Sequence, residues 1–300
     1  MLLSEYFSLE GSSVALGNFD GLHAGHLKVI KSAAEGAKDG LRPVVLLFDR
    51  HPLELVSGNA PARLLTVQTE NDILARMGVT PVIAPFGELM SMSGEEFFSR
   101  VLVDTLHAER LSCGENYRFG ANASGNVQTL RALCERFCVE LNVIELENYA
   151  GEPVSSTRIR KALSDGDIKS ANSMLSEPFS YDFTVVSGDR RGRLLGAPTI
   201  NQHFPEGFIV PRFGVYASRA FVNGKWHASV TNIGIRPTIG HGDYRSETCI
   251  MDFSGNLYGK NIRVALLEFL RPEMKFASLD ELSARIKQDA ETARRIFDEN

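Results

Sequence analysis

The feature that most constrains the fold is a change in the pattern of apolar residues more than halfway along the chain. Up to about Ser170, short apolar runs alternate with stretches whose apolar residues recur at helical spacing, as Leu27, Ile30 and Ala34 do. Alternating strands and helices are typical of a doubly wound α/β domain with a parallel sheet. The predicted strands are residues 14–16, 44–48, 81–86, 110–113 and 142–146.

After about Glu177 the apolar runs are separated by turn residues, with no helical stretch until the end of the chain. Asn-Gly and Ser-Gly pairs lie in two of these turns, as is typical of hairpins. We therefore predict an antiparallel barrel, closed by one helix that begins at the capping box of Ser278 and Glu281. The predicted boundary at 176–178 gives domains 1–177 and 178–300. The predicted strands of this half are residues 181–186, 214–222, 226–232, 247–253 and 262–270.

Composition excludes several classes of protein. The chain has 32 Lys and Arg residues against 37 Asp and Glu residues, whereas general nucleic-acid binding usually needs a basic face. No apolar run approaches the roughly 18 residues of a membrane span, and the N-terminus lacks the basic segment of a signal peptide. The four cysteines form no CxxC pair and are expected to be free thiols. We expect a cytoplasmic protein without nucleic-acid or membrane partners; the sequence does not indicate an oligomeric state.

A glycine-rich turn, Gly17-Asn-Phe-Asp-Gly-Leu-His-Ala-Gly-His26, follows the first predicted strand. Glycines allow a ligand to approach closely, and the N-terminus of the next helix offers N–H groups that suit phosphate. His23 and His26 can both face that spot and donate hydrogen bonds to phosphate oxygens in a transition state. The alternative is an ordinary connection with a histidine cap. The candidate ligand-binding residues of the turn are Gly17, Phe19, Asp20, Gly21 and Gly25.

Two further segments follow predicted strands of the α/β half. Ser155-Ser-Thr-Arg-Ile-Arg160 comes after the last strand, at the carboxyl edge of the sheet where ligands of open α/β sheets bind. Arg160 could hold a triphosphate there, although the serines and Thr157 could equally be a helix cap. Cys113-Gly-Glu-Asn-Tyr-Arg-Phe-Gly120 ends the fourth strand, and Asn116 is its candidate polar contact.

The barrel half contains a second glycine-rich segment, Gly188-Asp-Arg-Arg-Gly-Arg-Leu-Leu-Gly-Ala-Pro-Thr-Ile-Asn201. Its glycines suit a flexible loop over phosphates, and the oxygens of Thr199 and Asn201 suit Mg²⁺ or a phosphate. The alternatives are an ordinary basic loop, or RNA binding through the arginines, which the acidic composition disfavours.

These segments together resemble a known family. HxGH at 23–26 and SSTxxR at 155–160 are similar to the nucleotidylyltransferase superfamily. With 113–120 and the barrel that follows, nearly the whole chain resembles the bacterial bifunctional riboflavin kinase/FAD synthetase family. The resemblance implies a Rossmann-like domain that transfers AMP from ATP to FMN, then an antiparallel β-barrel riboflavin kinase domain with a C-terminal helix. The implied small-molecule partners are riboflavin, FMN, FAD and ATP, with Mg²⁺ as the cofactor.

The resemblance also implies residue roles. In the first domain, the residues implied to surround ATP are His23, His26, Asn116, Ser156, Thr157 and Arg160. The phosphate of FMN is already ionised, so adenylyl transfer needs alignment and charge relief rather than a strong base. In the barrel, Glu247 corresponds to the general base that accepts the proton of the terminal hydroxyl of riboflavin. The implied ligand contacts of the barrel are Gly192, Gly196, Pro198 and Arg236, with Thr199 and Asn201 near the metal and ATP.

The sequence departs from the family pattern at three positions. Arg50 replaces the usual proline in a loop that also holds Asp49 and His51, so the role of this loop is left open. Ala197 and Ile200 replace the usual Phe and Ala of the kinase motif. Two other functions are therefore considered: a monofunctional FMN adenylyltransferase with a weakened kinase site, and a non-catalytic flavin-binding regulator.

Overall fold

The structure is a computed structural model that describes residues 1–6, 10–187, 199–236 and 243–299. The chain divides into two compact units. The first comprises Met1–Ala62 and Val67–Ser155, and the second comprises Arg63–Thr66 and Ser156–Asn300. Within the described residues, no helix is long and apolar enough to cross a membrane.

The first unit contains a five-stranded parallel sheet in the order β3-β2-β1-β4-β5. Every residue of the central strand is buried, because both of its faces are covered. The predicted parallel α/β domain is confirmed. The strands are β1 Ser12–Leu16, β2 Arg42–Phe48, β3 Thr80–Ala84, β4 Ala108–Gly114 and β5 Glu140–Ile144, followed by the short hairpin β6 Asn148–Tyr149 and β7 Glu152–Pro153.

Helices connect these strands and cover the sheet, so that its core contains Val14, Val44, Leu111 and Leu130, all without exposed surface. The α-helices are α1 Ala24–Ala34, α2 Pro52–Ser57, α3 Val67–Arg76, α4 Phe86–Leu89, α5 Gly94–Glu96 and α6 Val127–Phe137. A π-helical segment, Phe97–Thr105, continues α5. The 3₁₀ turns are Leu3–Glu5, Glu35–Asp39 and Ala121–Ala123.

The second unit contains a six-stranded antiparallel sheet in the order β8-β13-β10-β11-β12-β9. The sheet curls until its edges meet: the N–H of Val186, after β8, donates to the carbonyl of Asn201 in β9 at 2.9 Å. The side chain of Gln202 also donates to the carbonyl of Phe183 at 2.6 Å. This confirms the predicted barrel. The strands are β8 Ser180–Tyr181, β9 Thr199–His203, β10 Gly214–Val222, β11 Lys225–Arg236, β12 Asp243–Ile250 and β13 Arg263–Arg271.

The described part of the second unit contains three helices: α7 Ser156–Asp165, α8 Ile168–Met174 and α9 Leu279–Asp298. The predicted capping box begins α9, with the Ser278 hydroxyl accepting from the N–H of Glu281 at 3.1 Å. The helix packs on the outer face of the sheet through Ala293 and Ile296, against Ala217 and Leu267.

Some predicted strand boundaries were wrong. The third strand ends at Ala84 rather than at 86, because Asp49 accepts a hydrogen bond from the N–H of Phe86 at 2.9 Å and α4 begins there. Only the first residue of the strand predicted at 181–186 lies in β8. Thr199–His203 forms an unpredicted strand, because it pairs with the distant β12.

Candidate functional sites

The glycine-rich turn connects the carboxyl end of β1 to α1 along a strained backbone path. Three of its residues have positive φ angles: 45° at Phe19, 80° at Gly21 and 42° at Leu22. Only glycine adopts this conformation without a steric cost. The side chains of Phe19 and Leu22 are nevertheless buried, at 2% and 0% exposed. Their burial offsets the strain and holds the turn at the sheet edge.

His23 is the N-cap of α1 and is only 8% exposed. Its Nδ1 accepts a hydrogen bond from the backbone N–H of His26 at 3.3 Å. An accepting Nδ1 carries no proton, so in the neutral ring the proton is on Nε2. The cap therefore fixes the tautomer in which Nε2 is a hydrogen-bond donor.

The two predicted histidines lie together. The rings of His23 and His26 are stacked, with centroids 3.5 Å apart. Burial lowers the pKa of His23 from 6.5 to about 4, and it lowers the pKa of His26 well below its usual value, with a further lowering by the charge of His23. Both imidazoles are thus neutral near pH 7. The buried Nδ1 of His26 has no hydrogen-bond partner among the described residues.

Two of the predicted glycines provide space within this site. A Cβ at Gly25 would lie 3.3 Å from the ring of His23, so the glycine leaves room for the imidazole. A Cβ at Gly17 would lie 3.1 Å from the ring of Phe19. The sequence interpretation assigned these glycines to ligand approach, and the structure gives them a packing role as well.

His51 contacts the turn, although the sequence left the role of its loop open. Its Nε2 lies 2.8 Å from the side-chain amide of Asn18 and 3.9 Å from the carboxylate of the predicted Asp20. Its Nδ1 accepts from the N–H of Leu53 and caps α2. Asp49 also accepts from the N–H of Phe86 at the start of α4, so Asp49 and His51 both have a structural role.

The other predicted residues of the α/β half lie in different elements. Asn116 is exposed just after β4, which neighbours β1 in the sheet. A Cβ at Gly114 would lie 3.2 Å from its side-chain oxygen. Ser156, Thr157 and Arg160 lie in the first two turns of α7, which belongs to the second compact unit.

The sheet register assembles a row of polar residues on the outer face of the barrel. Glu247 of β12 is directly opposite Asn201 of β9 on one side and Asn232 of β11 on the other. Residues directly opposite on antiparallel strands point to the same face. Thr199, opposite Cys249, shares this face because it lies two residues from Asn201. Glu247 is exposed, whereas Asn201 is only 7% exposed.

The predicted residues Gly192, Gly196 and Pro198 lie outside the described residues. Arg236 ends β11, and its side chain is also outside the described part. Within that part, no three His, Cys, Asp or Glu side chains are grouped so that they could hold a metal ion. A metal at this row would therefore be held by one or two protein oxygens together with its substrate.

Sequence reasoning missed the next row of the same face. Arg245 of β12 is opposite His203 of β9 and Gly234 of β11. Asp243 accepts from Arg245 Nε at 2.7 Å and contacts His203 Nδ1 at 2.5 Å. The hydrogen bond from Arg245, followed by that from His203, lowers the pKa of Asp243. The alternate spacing of Asp243, Arg245 and Glu247 in the sequence could have placed them on one face.

Comparisons with known proteins match both halves of the chain. The FAD synthetase family matches residues 7–158, and the riboflavin kinase family, Flavokinase, matches residues 175–297. A bifunctional riboflavin kinase/FMN adenylyltransferase of Listeria monocytogenes is 34% identical over 95% of this chain and 92% of the relative. A protein of the same description from Escherichia coli K12 is 36% identical over 96% of this chain and 93% of the relative. A crystal structure described as a macrolide-efflux protein from Streptococcus pneumoniae matches with a TM-score of 0.89 at 28% identity, covering 97% of this chain and 96% of the other.

Proposed function

Because the chain belongs to the bifunctional riboflavin kinase/FMN adenylyltransferase family, we propose that its two reactions use the two polar sites described above. The chain is a riboflavin kinase and an FMN adenylyltransferase, and it produces FMN and FAD. The site around His23 serves adenylyl transfer. The row that contains Glu247 serves riboflavin phosphorylation, and the observation that carries this assignment is the register that places Asn201 beside Glu247.

In adenylyl transfer, the phosphate of FMN attacks the α-phosphorus of ATP and pyrophosphate leaves. The nucleophile is already ionised, so the site has to align the reactants and stabilise the added charge. His23 and His26 are neutral and can donate hydrogen bonds to phosphate oxygens without the cost of burying a cation. Asn116, in the same unit as His23, contributes a further ATP contact in this proposal. ATP contacts of Ser156, Thr157 and Arg160 stay predictions of the family resemblance.

In riboflavin phosphorylation, Glu247 accepts the proton of the terminal hydroxyl as that oxygen bonds to the γ-phosphorus of ATP. Its side chain is exposed, which allows a substrate hydroxyl to reach it. The oxygens of Thr199 and Asn201 fit Mg²⁺, which commonly binds one or two protein oxygens together with substrate phosphates. Bound there, Mg²⁺ would neutralise charge on the phosphates of ATP.

The domain assignment and the location are also proposals. We place the boundary between the catalytic domains at 176–178, supported by matches that end at 158 and begin at 175. Membership of this enzyme family supports a cytoplasmic location.

The direct test is to incubate the purified protein with riboflavin and Mg-ATP and to separate the flavins over time. FMN should appear first and FAD second, and chelation of Mg²⁺ should abolish both. Riboflavin that stays bound and unmodified would contradict the proposal. FAD from added FMN without FMN from riboflavin would restrict it to the first site.

A further inference from the structure

The second polar row lies close to the first on the outer face of the barrel. Arg245 is two residues from Glu247 on β12 and therefore points to the same face. Two residues of an extended strand span about 7 Å. A group bound at Arg245 could thus belong to the same small molecule as a hydroxyl bound at Glu247.

The guanidinium of Arg245 is held in place by its neighbours. Its Nε and Nη2 both donate to the same carboxylate oxygen of Asp243. The other carboxylate oxygen of Asp243 contacts His203, which is opposite Arg245 on β9. A side chain fixed in this way loses little conformational entropy when a ligand binds.

A second carboxylate, that of Glu273, lies over both rows. The side-chain amide of Asn232 donates to Oε1 of Glu273 at 3.3 Å. A Cβ at Gly234 would lie only 2.5 Å from this oxygen, so the glycine opposite Arg245 leaves the space that the carboxylate occupies. Arg271, two residues before Glu273, forms a buried ion pair with Asp289 of α9 at 2.8 Å, which anchors the segment.

We propose that Arg245 and Glu273 bind the internal hydroxyls of the ribityl chain of riboflavin and thereby select a polyhydroxylated acceptor. This rests on the proposed function, which places the terminal hydroxyl at Glu247. A carboxylate accepts hydrogen bonds from hydroxyls, and a guanidinium donates to their oxygens. Polar groups in two rows about 7 Å apart suit a chain with a hydroxyl on each carbon. An apolar chain would displace water from these groups without replacing its hydrogen bonds.

The test compares riboflavin with an analogue that keeps the terminal hydroxyl and lacks the three internal ones. In Glu273→Ala, kcat/KM for riboflavin phosphorylation should fall ~10–100-fold, the scale of one or two lost polar contacts. The value for the analogue should change less than about twofold, since the analogue never made these contacts. Glu273→Gln should restore most of the loss, because its amide oxygen still accepts. Arg245→Lys, which keeps the charge, should likewise lower kcat/KM for riboflavin more than kcat/KM for the analogue.

Equal losses for riboflavin and the analogue, or no loss for riboflavin, would overturn the inference. Arg295→Gln is the control, because it removes an exposed arginine of α9 that pairs with Glu299 one helical turn away. FAD formation from added FMN verifies folding of each variant. If the proposed function itself were wrong, Glu247→Gln would leave the phosphorylation rates of both riboflavin and the analogue unchanged. This outcome distinguishes failure of the proposed function from failure of the inference.

Discussion

Replacing His23 separates its observed role as a helix cap from its proposed role as a hydrogen-bond donor to phosphate. In His23→Asn, the side-chain oxygen can still cap α1, since Asn is among the best N-cap residues. The variant lacks the donor that the imidazole presents at Nε2. We expect kcat for FAD formation to fall ~10²–10³-fold, the usual effect of losing one transition-state donor. His23→Ala should show a similar loss of rate and also lose the cap.

The stability difference between the variants follows from the cap. Loss of the bond between His23 Nδ1 and His26 N–H should cost about 1 kcal/mol, which lowers Tm by roughly 2–4 °C in a domain of this size. Asn126→Ala is the matched control, because it removes the cap of α6, a 3.0 Å bond to Thr129. That control should lower Tm similarly and leave FAD formation unchanged.

His23→Asn should also change how the stability of the protein depends on pH. Because the pKa of His23 is about 4 in the folded protein and 6.5 in the unfolded chain, the unfolded chain binds an extra proton between these values. The free energy of unfolding should therefore decrease as the pH falls through this window, and the penalty is absent above pH 6.5. His23→Asn should lose less Tm than the wild type between about pH 7 and pH 5.

The assay measures FAD from FMN and Mg-ATP by chromatography, with FMN formation from riboflavin as the internal control. If His23→Asn forms FAD at a rate within about fivefold of the wild type, the histidine is only a cap. An equal loss of FMN formation would show that the histidine belongs to neither site alone.

Three further predictions concern individual residues. Glu247→Gln should reduce FMN formation ~10²–10⁴-fold at saturating substrates, while FAD formation from FMN persists; a loss below about fivefold would leave Glu247 as a positioning residue. Gly25→Ala should reduce FAD formation about tenfold without lowering Tm, because the added Cβ displaces the ring of His23 while alanine favours the helix; unchanged FAD kinetics would contradict this packing role. A maleimide should first modify the exposed Cys138 without affecting either activity, and then, more slowly, the half-buried Cys249, as followed by mass spectrometry. Modification of Cys249, which is opposite Thr199, should abolish FMN formation only. Kinase activity that is retained after Cys249 is modified would place this residue outside the site.

Local patterns in the sequence predicted those parts of the sites that lie on one continuous segment. The spacing of His23 and His26 on a strand-to-helix turn predicted that they share a site. Their stacking and lowered pKa could not be predicted, because both depend on burial by the surrounding fold. The spacing of apolar residues likewise predicted the parallel α/β domain and the antiparallel barrel.

Contacts between distant segments could not be predicted from the sequence. The proximity of Asn201 and Glu247 depends on the pairing of β9 with β12, and a shift of one residue would place Glu247 on the other face. Family resemblance grouped these residues without giving their geometry. The carboxylate of Glu273 over Gly234 is a similar case, because the segment after β13 returns to β11.

Mixing two variants tests most directly whether two separate sites carry out the successive reactions. Glu247→Gln alone should leave riboflavin almost unconverted, and His26→Ala alone should stop at FMN. A mixture of the two proteins with riboflavin and Mg-ATP should form FAD after a lag in which free FMN accumulates. If the mixture forms no FAD, or if either variant loses both activities, the assignment of the two reactions to these two sites is contradicted.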